Sequence, residues 1–308
     1  MKHISVLLKE SIDGLNLKED SIVVDCTLGY GGHSSEILKR IKKGHLYAFD
    51  QDEEAIAFSS GRLSEIGDNF TIIHANFANL KEELEKRGIM KVDAILFDLG
   101  VSSPQLDEAD RGFSYHQDAK LDMRMDQTQA LSAYDVVNTF EEAELADIFY
   151  RYGEEKFSRS IAKNIVAARR EHPIETTLEL AEIIKNSVPE RVRRASHPAR
   201  KVFQAIRIYV NRELEVLEIA LQDALSILAI DGHISVITFH SLEDRIVKNK
   251  FKEVTEVDSV LKGLPDVPKE KLPDFELVSK KAIAPTTEEL EENPRARSAK
   301  LRVIKRIK

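Results

Sequence analysis

Short apolar runs alternate with amphipathic segments along the first hundred residues of the chain. Runs typical of buried strands lie at 21–26, 44–50, 70–77 and 92–100, and helical patterns lie between them at 33–41, 52–66 and 80–88. Strands that alternate with helices predict βαβ units and a parallel sheet. We therefore predict an α/β class with a Rossmann-like, doubly wound sheet, whose ligand binds at the carboxyl ends of the strands.

From about residue 106 to 208 the apolar residues recur at helical spacing, and no strong strand pattern is visible. Two predicted capping boxes begin helices in this block: Thr139 with Glu142, and Thr176 with Glu179. The block predicts an inserted all-helical domain, 106–208, for recognition of RNA or another substrate. The flanking parts, 1–105 and 209–308, then form one discontinuous α/β domain.

Strand patterns return in the last hundred residues, after one long amphipathic helix predicted at 211–230. The predicted strands are 232–240, 275–283 and 299–307, with a polar loop at 284–298 between the last two. The first of these strands is rich in β-branched residues, which suit a pleated, buried surface. These strands are expected to complete the α/β domain.

The composition is that of an ordinary soluble globular protein, since 42% of the 308 residues are hydrophobic and 32% are charged. No apolar run approaches the roughly 18 residues that a membrane helix needs. The N-terminal segment lacks the apolar core of a secretory signal. The single cysteine, Cys26, excludes a disulfide framework, so we expect a cytoplasmic protein with an inert, buried thiol.

Positive charge is clustered, although the chain as a whole has a net charge of −8. Segments 191–212 and 295–308 each hold seven Lys or Arg residues and no Asp or Glu. The net charge argues against a uniformly basic nucleic-acid binder, but two such clusters are candidate contacts for RNA phosphates. A solvated helix face and a charged tail are the alternative.

Three glycines follow the first predicted strand: Gly29, Gly31 and Gly32. Their spacing is G-x-G-G, and Ser34 stands where the dinucleotide fingerprint G-x-G-x-x-G has its third glycine, so a pyrophosphate is disfavoured. Asp50, at the end of the second strand, is placed to accept the hydroxyls of a ribose. A ribose without a pyrophosphate indicates S-adenosylmethionine. The alternative is that Asp25 and Asp50 are strand-end acids that cap the next helices.

The loop after the fourth strand contains the candidate catalytic residues: Asp98, Ser102, Ser103 and Pro104. Methyl transfer to an exocyclic amine needs acceptors that hold its hydrogens and orient its lone pair. Asp98 and the serines can supply them, and Asp25 with Asp98 would favour the cationic sulfonium of the cofactor. No cysteine lies in this loop, so covalent attack on a pyrimidine ring is disfavoured. Turn formation alone is the alternative for the Ser-Pro segment.

Seven motifs extend in order over nearly the whole chain: DCTLGYGGHS, FDLGVSSPQ, RGFSY, LDMRMD, ARKVFQAIRIYVN, FHSLEDRIVK and NPRARSAKLR. In these motifs the sequence resembles the bacterial RsmH (MraW) family of S-adenosylmethionine-dependent methyltransferases. The resemblance implies a class I methyltransferase sheet with one antiparallel late strand and an inserted helical domain. It also implies methylation of N4 of a cytidine in 16S ribosomal RNA of the small ribosomal subunit.

The resemblance further implies a set of cofactor contacts: Gly31, Gly32, His33, Asp50, Phe77, Asp98 and Gln105. From the residues alone, Phe77 would be a core side chain and His33 a polar residue at a helix start. The histidines are scattered and no H-E-x-x-H motif is present, so we expect no metal. We expect no membrane partner, and both a monomer and a homodimer stay open.

The remaining candidates have less defined roles. His240 and Ser241 follow a predicted strand and could hold the target base, or Ser241 could cap the next helix with Asp244. Five basic residues are candidates for phosphate contacts or surface ion pairs: Arg111, Arg124, Arg200, Lys201 and Arg207. Three other functions stay open: an NAD oxidoreductase, a ribosome-assembly or RNA-binding factor with a vestigial cofactor pocket, and a DNA amino-methyltransferase.

Overall fold

The computed structural model describes residues 5–101, 109–195, 197–257, 261 and 268–308. The chain divides into two compact units. The first comprises Met1–Gly100 and Leu214–Lys308, and the second comprises Val101–Glu213. The predicted limits of the insert, residues 106 and 208, lie inside the second unit.

In the described part of the chain, the first unit contains one seven-stranded sheet. Its strands are β1 (Ile22–Asp25), β2 (His45–Asp50), β3 (Phe70–His74), β4 (Val92–Asp98), β5 (Leu228–Thr238), β6 (Phe275–Leu277) and β7 (Lys300–Arg306). Their order is β3-β2-β1-β4-β5-β7-β6. Strands β1 to β5 are parallel, whereas β7 is antiparallel to β5 and β6. The predicted α/β class, the Rossmann-like sheet and the antiparallel late strand are confirmed.

The helices surround this sheet in the first unit and make up most of the second. In chain order they are α1 (Leu8–Gly14), α2 (Gly32–Arg40), α3 (Glu53–Ser64), α4 (Leu80–Glu85), α5 (Ala133–Thr139), α6 (Glu142–Gly153), α7 (Ser158–Glu171), α8 (Thr177–Asn186), α9 (Glu190–Ala195), α10 (Ala199–Val210), α11 (Glu213–Ile227), α12 (Ser241–Thr255) and α13 (Thr287–Glu292). Among the residues described, no helix combines the length and the apolar character that a membrane span requires.

Alternate residues of the central strands are buried on opposite faces of the sheet, as the two-residue period of a strand requires. Val23 and Leu96 belong to one apolar cluster with side chains of α1, α2 and α3. Val24, Phe97 and Cys26 belong to another with side chains of α4, α11 and α12. Both faces are covered, which explains why these strands are near-continuous apolar runs. Cys26 is buried as expected, and burial raises the pKa of its thiol.

The second unit has an apolar core of its own, to which each of its longer helices contributes one face. Examples from α5, α6, α7, α8 and α10 are Val136, Phe149, Ile165, Leu180 and Ile206. The predicted capping box of Thr176 with Glu179 is confirmed at the start of α8. The helices therefore form where the apolar spacing and the capping signal agree.

The other predicted capping box in this unit, Thr139 with Glu142, is wrong. Glu141 and Glu144 form the box at the start of α6 instead. Thr139 is the last residue of α5, where its hydroxyl donates to the carbonyl of Asp135. A threonine that is still inside one helix cannot cap the next, so the start of α6 is displaced by two residues from the predicted cap.

The late part of the chain departs from the prediction at three places. The long helix ends at Ile227 rather than at 230, because Leu228 already pairs with β4 and begins β5. Strand β6 covers only three residues of the predicted 275–283. The predicted polar loop contains α13, which begins after Thr286 because the side chain of Thr286 accepts from the backbone N–H of Glu289.

Candidate active site

The turn after β1 brings the backbone to the carboxyl edge of the sheet and then enters α2. Gly31, the N-cap of α2, has a φ of 74°, a conformation that glycine adopts without strain. A Cβ on Gly32 would lie 1.9 Å from Oγ of Ser5, so a side chain there would require Ser5 to move. The Ser59 hydroxyl donates to the carbonyl of Gly29 at 2.6 Å, so α3 fixes the shape of the turn from outside.

Asp50, at the end of β2, is bound to this turn. Its Oδ2 accepts the backbone N–H of Gly29 at 2.8 Å, and its Oδ1 accepts that of Asp52 at 2.9 Å. Burial raises the pKa of Asp50 to about 6. Each carboxylate oxygen has a second lone pair, so both can still accept a hydroxyl. Asp50 therefore fits the predicted ribose acceptor and also shapes the glycine turn, while Asp52 is the residue that caps α3.

Asp25, predicted to lie beside the cofactor, serves the interior of the turn instead. Its side chain is completely buried. Its Oδ2 accepts the hydroxyl of Ser34 at 2.6 Å, and its Oδ1 accepts the backbone N–H of Thr27 at 3.0 Å. Its oxygens thus have partners in the turn and in α2, and because the side chain is not exposed, Asp25 can act on a ligand only through its charge. The position of an acid at the end of a strand predicts that it lies at this edge of the sheet, but it does not predict whether the side chain faces inward.

Asp98, at the end of β4, lies next to the same turn. Its backbone N–H donates to Oγ1 of Thr27 at 2.7 Å, which ties the loop after β1 to the end of β4. Its Oδ1 is buried, and it has no hydrogen-bond partner among the residues that the structure describes. Burial and the charges of Asp25 and Glu243 raise the pKa of Asp98 to about 8. A buried oxygen without a partner is costly and suits a binding position.

His33, on the first turn of α2, contacts Asp98. Its Nε2 lies 3.2 Å from the carbonyl of Val6, and a carbonyl only accepts, so Nε2 carries a proton. Its Nδ1 lies 3.4 Å from Oδ2 of Asp98. The imidazole is only 5% exposed. His33 therefore lies against Oδ2 of Asp98, whereas Oδ1 has no such neighbour among the residues that the structure describes.

Phe77 lies in the loop after β3, on a short 3-10 helix, Phe77–Asn79. Its ring packs edge-to-face on Phe97 with centroids 5.7 Å apart, and the side chain stays partly exposed. Asn76 donates from its amide to Oε1 of Gln51 at 2.9 Å, so the loops after β2 and β3 are joined. Sequence reasoning missed Asn76, although an Asn that precedes a short helix is a capping signal.

The loop after β5 differs from the prediction for Ser241. The predicted box of Ser241 with Asp244 is wrong, because His240 is the N-cap of α12 and pairs with Glu243. Glu243 is 2% exposed, and its Oε2 accepts the backbone N–H of Phe239 at 2.8 Å. The buried charge of Glu243 acts on Asp98, a role that sequence reasoning missed. Ser102, Ser103, Pro104 and Gln105 lie outside the described residues.

Four of the five candidate phosphate ligands have partners within the second unit: Arg111, Arg124, Lys201 and Arg207. Arg111 donates to the carbonyl of Arg124 at 3.2 Å, and Arg124 pairs with Asp122 at 2.7 Å. Arg207 pairs with Glu213 at 2.8 Å. Their guanidinium groups hold loops of this unit together, which leaves less charge for an RNA. Arg200 and Lys201 are both exposed, and the ammonium of Lys201 donates to the carbonyl of Glu154 at 2.9 Å.

Half of the basic segment 295–308 belongs to strand β7, so the segment is not a free tail. Asp244 on α12 accepts from Arg302 at 2.8 Å and from Lys300 at 3.1 Å. Burial opposes ionisation of Asp244, but these hydrogen bonds hold its pKa below the ordinary range. Two cations of the segment therefore serve the fold.

The loops after β1, β2 and β4 meet where the strand order reverses, the position at which ligands bind in open α/β sheets. The hydrogen bonds between Gly29 and Asp50 and between Asp98 and Thr27 join them directly. The sheet order, the antiparallel seventh strand and this edge are those of the class I methyltransferase fold.

A model of the MraW methylase family matches residues 1–307. Two relatives, from Exiguobacterium sibiricum and Lactiplantibacillus plantarum, are each named ribosomal RNA small subunit methyltransferase H. The first is 55% identical over 308 residues, covering 100% of this chain and 99% of the relative. The second is 55% identical over 311 residues, covering 100% and 98%. This chain therefore belongs to the MraW methylase family.

Solved structures with a similar fold include a ribosomal RNA methylase from Streptococcus thermophilus, 14% identical with a TM-score of 0.47. Another is a putative methyltransferase from Streptococcus mutans in complex with SAH, 13% identical with a TM-score of 0.45. Each match covers 99% of both chains. TM-scores below 0.5 are too low to bear on the function of this chain.

Substitution of Gly31 by Ala should destabilise the turn, because a left-handed conformation costs a residue with a Cβ about 1–2 kcal/mol. The new Cβ would also lie 3.3 Å from Oγ of Ser59. We expect the free energy of unfolding to fall by about that amount in urea titrations followed by circular dichroism. Gly61→Ala is the matched control, since a Cβ there meets nothing within 4 Å and favours helix α3. Equal effects of the two changes would contradict a strained turn.

The raised pKa of Asp98 gives the free energy of unfolding a defined pH dependence. A carboxyl with a pKa of about 8 in the folded state binds its proton more tightly than in the unfolded chain, so stability falls as the pH rises toward 8. Asp50 is largely ionised above its pKa of about 6, so the decline between pH 6 and 8 belongs mainly to Asp98.

The Asp98→Asn variant should therefore show a flatter decline in urea stability between pH 6 and 8 than the unchanged protein. Asp244→Asn serves as the control, because the pKa of Asp244 lies below the ordinary range and its titration falls outside this window. If Asp98→Asn keeps the full decline, Asp98 is not the group that titrates.

Proposed function

We propose that this protein transfers a methyl group from S-adenosylmethionine to the exocyclic N4 of a cytidine in small-subunit ribosomal RNA. The observation that carries the proposal is the buried Oδ1 of Asp98, which has no partner among the described residues and lies at the edge formed by the glycine turn and Asp50. Membership of the MraW methylase family and the names of the two relatives support the reaction class and the substrate.

The residues at this edge fit the cofactor. Asp50 retains acceptor capacity for two ribose hydroxyls, and the partly exposed ring of Phe77 offers an apolar face for the adenine. Gly31 and Gly32, which have no side chains, let the cofactor approach the backbone closely at the start of α2, and the buried His33 follows them beside Asp98. The negative charges around Asp98 suit a sulfonium. When bound, the cofactor supplies an electrophilic methyl carbon.

Asp98 is the proposed catalytic residue. A cation close to its carboxyl favours the ionised form, and an ionised Oδ1 can accept a hydrogen bond from the amine of the target base. That contact would hold one hydrogen of the amine and orient the nitrogen lone pair. The amine proton leaves to Asp98 or to solvent. His33 lies 3.4 Å from the other oxygen of Asp98, so a ligand would reach the carboxyl through Oδ1.

The second unit is the proposed RNA-recognition domain. Segment 191–212 lies entirely in this unit and presents several exposed Arg and Lys side chains. A cytidine must leave its stack to reach a buried edge, and single-stranded or looped RNA makes that cheaper. Phosphate contacts of this kind release counterions, so we expect RNA binding to weaken steeply with salt. Ser102, Ser103, Pro104 and Gln105 remain predicted contacts near the base and the cofactor.

Asp50→Ala should weaken binding of S-adenosylmethionine about tenfold to a hundredfold, because hydrogen bonds to a charged group contribute about 1.5–3 kcal/mol. Isothermal titration calorimetry with the purified protein measures this affinity. Asp68→Ala is the control, since Asp68 is an exposed acid in the turn before β3. Unchanged affinity of the Asp50 variant would remove Asp50 from the cofactor site.

The reaction itself is tested with cofactor labelled in its methyl group and with small ribosomal subunits from a strain that lacks this protein. The RNA is digested and its nucleosides are identified, and label is expected on N4 of cytidine. Asp98→Asn should bind the cofactor but transfer label much more slowly. Label on another nucleoside, on DNA or on protein would refute the proposed substrate. Cofactor binding without any transfer would favour an assembly factor.

A further inference from the structure

A pocket of about 550 Å³ lies within the second unit, and none of its lining residues is predicted to contact the cofactor. One side is α8, which contributes Leu178 and Ala181. Leu178 is 42% exposed, an apolar side chain that the helical core does not cover. The volume lies in the range of pockets that hold small ligands, about 300–1,000 Å³.

Another part of the pocket lining consists of aromatic side chains. Tyr115 and His197 are stacked with ring centroids 4.6 Å apart and planes 24° from parallel. Phe203 packs edge-to-face on Tyr115, which fixes the tyrosine ring. The backbone N–H of Ala199 donates to Nδ1 of His197, so the proton of the neutral imidazole is on Nε2. Burial and the nearby charges lower the pKa of His197, so the ring is an uncharged stacking surface.

The rim of the pocket is charged and carries more positive than negative groups. Lys185 and Arg193 provide two cations, and Glu182 provides one carboxylate, which Lys185 contacts at 3.1 Å. Two cations suit a phosphate, whereas the carboxylate suits a hydroxyl or an amino group and would repel a simple anion. Apolar walls, a stacked aromatic pair and a mixed rim together match the parts of a nucleotide.

We infer that this pocket binds one unpaired nucleotide of the RNA substrate, with its base stacked on the exposed ring of His197, whose other face packs on Tyr115, and its phosphate at Lys185 and Arg193. Stacking on aromatic side chains is how proteins hold bases that have left a helix. Since none of the lining residues is a candidate for methyl transfer, the pocket serves recognition. The inference rests on the proposed function, because it takes RNA as the ligand.

The test is binding of a fluorescein-labelled, single-stranded oligoribonucleotide of about ten nucleotides to the full chain, followed by fluorescence anisotropy at fixed salt. His197→Ala and Arg193→Gln should each weaken binding about fivefold or more, within the range of one lost base stack. His197→Phe, which keeps a ring, should restore most of the affinity. Arg191→Gln is the matched charge control, because Arg191 is exposed on the same helix, α9, and does not line the pocket.

Failure of this inference is distinguishable from failure of the proposed function. If the unchanged protein does not bind the oligonucleotide, or if Arg191→Gln weakens binding as much as Arg193→Gln, the pocket is not a nucleotide site. Methylation of small subunits is measured separately and would be unaffected by that conclusion. All pocket variants should keep their calorimetric affinity for S-adenosylmethionine, which shows that the first unit is intact. If label appears on a nucleoside other than cytidine, the proposed substrate is wrong, but the inference that this pocket binds RNA is not contradicted.

Discussion

A shortage of hydrogen bonds around buried carboxyl groups is the constraint on which the candidate site depends. Asp25, Asp98 and Glu243 lie at one edge of the sheet, and the charges of Asp25 and Glu243 raise the pKa of Asp98. The turn satisfies Asp25, and backbone N–H groups satisfy Glu243. Oδ1 of Asp98 has no such partner among the described residues, so one buried carboxyl oxygen at this edge lacks a hydrogen bond. A cationic ligand with a hydrogen-bond donor would relieve both deficits, because it lowers the cost of ionisation and fills the missing contact.

The same residues serve the fold and the proposed site. Asp50 holds the glycine turn through Gly29, and it keeps lone pairs for a ligand. Ser59 on α3 holds the turn from the other side, so α3 and β2 together set its shape. A site built this way is organised before the ligand arrives, which reduces the ordering cost of binding. It also means that a change at Asp50 affects the conformation of the turn as well as the affinity.

In the second unit, positive charge has two separate uses. Some arginines, such as Arg124 and Arg207, are bound to carboxylates within about 3 Å and stabilise loops. Others, such as Arg193, lie on the rim of a pocket that has an aromatic wall. A count of basic residues cannot separate these uses, because the sequence does not show whether an arginine is paired inside the unit or faces a ligand. Only the partners of each side chain show which cations remain for RNA.

The sequence by itself determined the α/β class, the parallel direction of the early strands and the positions of Asp50 and Asp98 at strand ends. These features follow from local periodicity and turn chemistry. It also located the start of α8, where a capping box and an apolar face coincide. The tertiary structure alone decided that Asp25 faces inward, that His33 meets Asp98 and that Tyr115 stacks on His197. Some of these contacts join residues that are distant in the chain. Others depend on the local backbone conformation, which sets the direction of a side chain and which no short-range sequence pattern encodes. Burial and partner choice therefore belong to the folded state.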